Sequence, residues 1–274
     1  MPPSKLSEEE RATLLSADSS EWDSIQGLLP NKFSKTAANG IRERAGLEPF
    51  PVRFQMKHSY NEDFFCTGGL RAAYWAGFIA ADGNIHRRGE RSLILAIGLS
   101  RTDRAHLETF LKDLGGGRVY DGTHDTAGVE CLNSFVHVSN FKICSDLIER
   151  FNITERKSLT LRPPEGLAED EILSFIAGYI DGDGCYSFSQ WKETRHPRIT
   201  ILGTKEMLLW ICEQLGYPNK TIYTRSNIFA VKFNGSDAVE VRAKIYRLKD
   251  QIPLLPRKYK RWEALGVKVE GMVN

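Results

Sequence analysis

The chain has 274 residues, 41% hydrophobic and 26% charged, with 37 Lys plus Arg against 35 Asp plus Glu and a net charge of +2. This is material for one or two globular domains; it excludes a disordered or strongly polycationic protein, so any surface for a polyanion must be local. No apolar run approaches the ~20 residues of a bilayer span, and Met-Pro-Pro-Ser-Lys at the start lacks the apolar core of a signal peptide, so a secreted protein is not expected. Cys66, Cys131, Cys144, Cys185 and Cys212 are scattered without a CxxC pair, and read as buried free thiols in a reducing compartment.

Residues 1–49 read as a small helical module. Ser7-x-x-Glu10 is a capping box for a helix through Leu15. Asp18-Ser19-Ser20 can cap a second helix holding Trp22, Ile25 and Leu28, and Ser34 a third that runs through Arg44 and stops at Gly46. Three short helices around a Trp and Ile/Leu core resemble a helix-turn-helix of the Myb/SANT type. That resemblance implies DNA contacts from Lys35, Asn39 and Arg42 on the third helix. The other reading is a helical appendage with a solvated polar face. Residues 50–70, with Pro51 and Gly68-Gly69, read as a linker lying extended over the surface of the next domain.

From residue 71 one plan occurs twice, over 71–164 and 165–274. In the first copy a helix ends near Asp82, followed by strands at 84–88 and 92–99 and a helix at 103–114. Strands at 118–121 and 132–138 and a helix at 141–151 complete it. The second repeats the order, with strands at 185–191, 198–203, 220–225 and 228–233 and helices at 205–215 and 236–248. Asp82 to Asp183, Leu114-Gly115 to Leu215-Gly216, and Arg156-Lys157 to Arg257-Lys258 all keep an offset of 101. One short motif matched by chance would not hold three landmarks in one register.

Each copy opens on an apolar run that contains a Gly and ends in Asp-Gly. An interior Gly costs a helix about 1 kcal/mol relative to Ala, so Gly77 and Gly178 at matched places predict two helices packed backbone to backbone. Ala76-Gly77-Phe78-Ile79-Ala80-Ala81-Asp82-Gly83 and Ala177-Gly178-Tyr179-Ile180-Asp181-Gly182-Asp183-Gly184 resemble the LAGLIDADG motif of homing endonucleases, in its single-chain form with two motifs. Ala80 departs from the pattern where the motif has its first Asp. The resemblance implies an α+β fold of two pseudo-symmetric αββαββα half-domains whose antiparallel sheets form a DNA-binding saddle.

It also implies the chemistry. The expected activity is that of an intron-encoded, monomeric endonuclease making a metal-dependent staggered double-strand break in a long, non-palindromic duplex DNA site. Its setting would be cytoplasmic or nucleoid-associated, or an organellar matrix. Asp82 and Asp183 are the expected catalytic metal ligands, with Gly83 and Gly184 beside them. Mg²⁺ is the expected ion, with Mn²⁺ or Ca²⁺ substituting in binding, because hard carboxylate oxygens suit such cations. An Asp at a helix C-terminus opposes the helix dipole, which itself favours a ligand role over a mere cap. Asp181, unmatched in the first copy, reads as structural or tuning. Lys157 and Lys258 are expected beside the scissile phosphates, the other reading being solvated surface charge. Strand alternation nominates Asn84, His86, Arg88, Arg118 and Tyr120 as DNA-reading residues in the first copy. In the second it nominates Ser187, Ser189, Trp191, Arg198, Thr200, Thr221, Tyr223 and Arg225. A binding protein on the same fold, gripping intron RNA or regulating DNA without cutting it, is the main rival.

Overall fold

The computed structural model describes residues 6–18, 20–29, 33–50, 59–87, 92–126, 129–191, 194–225 and 228–264. The chain divides into two compact units, residues 1–57 and 58–274.

In the first unit α1 (Glu8–Ser16) begins at the expected capping box, in which Ser7 N donates to Glu10 (2.7 Å) and Glu10 N to the Ser7 hydroxyl (3.2 Å). The helix α2 (Trp22–Ile25) is a single turn. In α3 (Lys35–Arg44), Ala37 N donates to Ser34, and beyond the helix Gly46 takes φ +71°, a left-handed value that favours glycine. Leu14, Ala17, Trp22, Ile25, Leu29, Ala38 and Phe50 form the core. Leu28, expected inside, is 65% exposed, and Leu29 takes its place because the chain tightens into a 3₁₀ turn over Gln26–Leu28.

The second unit is built on two helices. After α4 (Phe64–Thr67) come α5 (Leu70–Asp82), β1 (Gly83–Arg87), β2 (Leu93–Ser100), α6 (Arg104–Asp113), β3 (Tyr120–Thr126), β4 (Val129–Ser139) and α7 (Phe141–Phe151). The second half runs α8 (Glu169–Asp183), β5 (Gly184–Trp191), β6 (Thr194–Gly203), α9 (Lys205–Gln214), β7 (Ile222–Arg225), β8 (Ile228–Asn234) and α10 (Ser236–Tyr246). A last helix, α11 (Pro256–Ala264), follows. Among the described residues no helix is long and apolar enough to cross a membrane.

Both α5 and α8 are buried on all sides over Ala72–Ala80 and Leu173–Asp181, the pattern of a central rather than a surface helix. They meet at the two glycines. A Cβ on Gly77 would lie 1.9 Å from Phe175 O, and one on Gly178 1.9 Å from Tyr74 O, so only glycine permits this approach. The propensity cost of an interior Gly is therefore repaid in backbone contact, as the matched positions predicted.

Each half adds an antiparallel four-stranded sheet, in the orders β1-β2-β4-β3 and β5-β6-β8-β7. Alternation gives each a dry and an open face: Leu93, Leu95, Ile97 and Leu99 of β2, and Ile199 and Ile201 of β6, enter the core. Leu107 and Phe110 of α6, Ile143 and Leu147 of α7, Met207 and Ile211 of α9, and Val241 and Ile245 of α10 complete one continuous core.

The repeat is less uniform than its landmarks. α6 and α9 begin 101 apart, as Asp82 and Asp183 do, but Ile97 and Ile201, which face Gly83 and Gly184, are 104 apart. Phe141 and Ser236, opening α7 and α10, are 95 apart. Hairpins of unequal length shift the register, and the longer approach to α11 restores it at Lys258. Segment 59–70, expected as an extended linker, instead folds in: Asn61 N donates to Leu114 O (2.8 Å) and α4 buries Phe65 completely. The thiols also differ from expectation, since only Cys144 and Cys212 are buried while Cys66 and Cys185 are exposed.

Candidate functional site

Both central helices end at an aspartate. Gly83 and Gly184 leave the helix in extended backbone and start β1 and β5. Close approach explains glycine here: a Cβ would lie 2.8 Å from Ile79 O at Gly83 and 2.4 Å from Ile180 O at Gly184. Gly182 meets the other helix, where a Cβ would stand 2.3 Å from that of Ala81. Close packing at these ends brings Asp82 near enough for its charge to raise the Asp183 carboxyl.

Two carboxylates at the negative ends of two helices are an unfavourable arrangement unless compensated. Lys157 and Lys258 supply the compensation, and both are buried, at 7% and 8% exposure. Lys157 Nζ donates to Ala80 O (2.7 Å) and Ala81 O (2.9 Å). Lys258 Nζ donates to Ile180 O (3.0 Å), Gly182 O (2.8 Å) and Gly184 O (2.6 Å). Each ammonium thus caps carbonyls at a helix end, within reach of the acids' charge. Solvated surface charge does not describe either lysine.

The titration of the four groups reflects this crowding. Burial raises the Asp82 carboxyl, with Lys258 and Lys157 pulling the other way. Burial, then the charge of Asp82, pushes Asp183 up to about 6. Burial lowers both lysines against the opposing pull of the acids. Two neighbouring carboxylates, both raised by burial and one further by the other's charge, have a donor set suited to a hard divalent cation. Among the described residues no group of three or more His, Cys, Asp or Glu side chains forms a closed metal cage. The carbonyl of Gly184, expected in the metal site, already accepts from Lys258, which leaves the carboxylates as the principal donors.

The open faces of the two sheets begin at these acids. Asn84 and His86 are exposed on β1 and pair with Ala96 and Ile94. The same face continues across β4 to His137 and Phe135, and Phe135 pairs with exposed Tyr120. Arg118 is exposed just before β3, its guanidinium 5.6 Å from the Tyr120 ring. Arg88 lies outside the described residues. On the second sheet Ser187 pairs with Arg198, and Thr200 with Cys185 and Lys232; Arg198 Nε donates to Asn234 Oδ1 (2.7 Å). Ser189 pairs with His196, and Tyr223 is exposed with Lys232 Nζ 5.2 Å from its ring. Thr221 is exposed one residue before β7, while Trp191 and Arg225 end their strands with side chains outside the description. Phe135, His137, Lys232 and Asn234 share these faces and were missed in the sequence. The signal existed as alternation in β4 and β8, but their polar faces become informative only once cross-strand pairing is known.

In the first unit the expected contact residues are otherwise engaged. Arg42 is 3% exposed and donates to Leu14 O (3.0 Å), Ala17 O (2.7 Å) and Glu48 O (2.7 Å), so it ties the helices together instead of facing a groove. Asn39 binds both backbone groups of Phe50, at 3.0 and 2.9 Å. Lys35 is half-buried, with Nζ 5.6 Å from the Trp22 ring.

No protein-family profile matches the sequence, and no curated protein does. Solved structures do match. The LAGLIDADG meganuclease I-CpaMI, solved bound to uncleaved DNA, is similar at 12% identity with a TM-score of 0.50, covering 70% of this chain and 90% of its own. The homing endonuclease I-WcaI, solved bound to its DNA recognition sequence, is similar at 14% identity with a TM-score of 0.50, covering 80% of this chain and 96% of its own. The chain therefore has the fold of the LAGLIDADG homing endonucleases.

Proposed function

We propose that the protein is a site-specific DNA endonuclease that makes a divalent-metal-dependent, staggered double-strand break in a long asymmetric duplex site. The observation that carries this reading is the paired helix terminus: two acids, each backed by a buried lysine, at the edge of two sheets with open polar faces. Asp82 and Asp183 would hold the metal, which when bound supplies Lewis-acid stabilisation of phosphate charge and an activated water. The net change is that a water oxygen bonds to phosphorus and one phosphorus–ester oxygen bond breaks. One proton of the water ends on the departing oxygen and the other on the new phosphate or in solvent.

The protein's own residues orient this chemistry. Lys157 and Lys258 each cap one acidic helix end and would place positive charge beside the phosphate. The sheet faces would lie in the major groove, where side chains such as Asn84 and Arg198 discriminate by ~1–3 kcal/mol per good base contact. One chain supplies both acids and two unlike sheets, which fits a non-palindromic target cut by a monomer. The test is cleavage of a randomised duplex library with Mg²⁺ and with EDTA, sequencing the cut ends. An enriched long asymmetric site with staggered ends, lost in EDTA, is the expected result. Binding without cutting would overturn it in favour of a regulator or RNA-binding protein on the same fold.

A further inference from the structure

The acidic helix ends are near copies of each other, but what holds their lysines is not. In one half, Asp181 is buried; its Oδ2 accepts from Tyr74 Oη (2.7 Å) and from Leu255 N (2.8 Å). Tyr74 has spent its proton on Asp181, so its oxygen accepts from Nε2 of buried His106 at 3.2 Å. Asp103, also buried, receives Arg257 through Nε (3.1 and 3.0 Å) and Nη2 (2.8 Å). Leu255 and Arg257 stand three and one residues before Lys258. The segment that delivers Lys258 is thus tied down twice, by Asp181 of α8 and by Asp103 just before α6.

Every side chain that grips the Lys258 segment is replaced in the other half, although Arg257 itself keeps a match in Arg156. At the 101 offset, Tyr74 becomes Phe175, His106 becomes Met207, Asp181 becomes Ala80 and Asp103 becomes Thr204. Thr204 caps α9 and donates to Leu161 O (2.7 Å), beyond Lys157, but it cannot form an ion pair with Arg156. The version without the buried acids is therefore enough to build the fold. A buried polar network adds directional constraint where hydrophobic packing would serve for stability. Lys258 also reaches three carbonyls where Lys157 reaches two.

We propose that Asp103 and Asp181 are positioning residues that lock the segment carrying Lys258, so that the half-site served by Lys258 is preorganised and cuts its strand before the half-site served by Lys157 does. The order of cutting rests on the nuclease reading above; the lock does not. The experiment has two arms. In the first, lysine amines of the folded protein are acylated with a succinimidyl ester and quantified peptide by peptide. Asp103→Asn should raise acylation of Lys258 by roughly tenfold, the change expected when a charge-assisted hydrogen bond is lost, and leave Lys157 unchanged. Asp103→Glu should restore protection. Arg257→Gln, at an exposed residue, removes the same bridge should Asp103→Asn fold poorly. Unchanged Lys258, or equal increases at both lysines, would overturn the lock.

In the second arm, a duplex enriched from the cleavage library carries a different label on each strand, and Lys258→Ala identifies the strand that depends on Lys258. The intact protein should nick that strand first, and Asp103→Asn should erase its lead. A lead that persists, or one for the other strand, would overturn the cutting order. If no form of the protein cuts any duplex, cutting order and nuclease reading fall together, while the acylation arm alone judges the lock.

Discussion

The two halves of the second unit solve one problem with different chemistry. Behind Lys157 the matched positions hold Ala80, Phe175, Met207 and Thr204; behind Lys258 they hold Asp181, Tyr74, His106 and Asp103. The geometry of the acidic helix ends survives that exchange. What fixes the end of α5 or α8 is backbone contact through glycine and the lysine beneath it, and the surrounding network is free to vary. Duplication has preserved the parts that tolerate no substitution and let the rest diverge.

The largest expected effect tests whether the two acids are equivalent. Asp82→Asn and Asp183→Asn should each reduce double-strand cleavage by roughly a hundred- to a thousandfold, the scale of losing one transition-state contact. DNA binding should stay within a few-fold. Strand-resolved gels should show each variant nicking one strand only. Loss of both cuts in either variant would mean that the acids form one shared centre, and loss of binding on the same scale would argue against a catalytic role.

Next come the glycines. Gly77→Ala and Gly178→Ala each place a methyl 1.9 Å from a carbonyl oxygen, and both should destabilise by roughly 2–4 kcal/mol in urea unfolding, against a propensity gain of about 1. Gly182→Ala is a sharper test, because its counterpart Ala81 is already the methyl it would strike. Alone it should cost about 1–3 kcal/mol; combined with Ala81→Gly it should recover most of that. Recovery would show that the helix ends are interchangeable across the pseudo-symmetry, and additive losses would show that they are not.

Much of this is legible in the sequence. Gly inside an apolar run ending in Asp-Gly, twice at one offset, specifies helix pairing and the location of the acids. The constant offset concealed the shifts to 104 in β2 and β6 and to 95 in α7 and α10, because insertions of opposite sign cancel before Lys258. Sequence also could not tell a buried lysine from a solvated one, since burial at Lys157 and Lys258 is set by carbonyls some 75 residues away along the chain. Arg42 failed as a groove contact for a related reason: its acceptors are backbone oxygens of Leu14, Ala17 and Glu48, which no side-chain pattern announces.

The lysines themselves should differ. Lys258→Ala removes three hydrogen bonds to backbone carbonyls and Lys157→Ala two, so the first should lower stability by about 1–3 kcal/mol and the second by less. Thermal unfolding of both variants without metal reads the difference. A larger loss at Lys157 would reverse the ranking of the two half-sites.

The smallest expected effect concerns acid. His106 is buried, and burial lowers its pKa to about 4, so its folded pKa lies below the unfolded value near 6.5. In that window the unfolded chain binds the extra proton, and stability from neutral His106 is complete above the window and lost as pH falls through it. Asp181 and Asp183, both raised to about 6 by burial, act in the opposite sense: the folded state holds the proton between about 4 and 6, and their contribution weakens as pH rises. Without metal the carboxylates outnumber the imidazole, so stability should decline from pH 4 to pH 6, with His106 softening the slope. His106→Met, which installs the residue found at the matching position in the other half, should steepen that decline by up to about 1.4 kcal/mol per pH unit. Urea unfolding at pH 4.5, 5.5 and 6.5 measures it. An unchanged slope would mean that His106 exchanges protons freely in the folded state, and that the polar network around Asp181 is open to water where the apolar one around Ala80 is not.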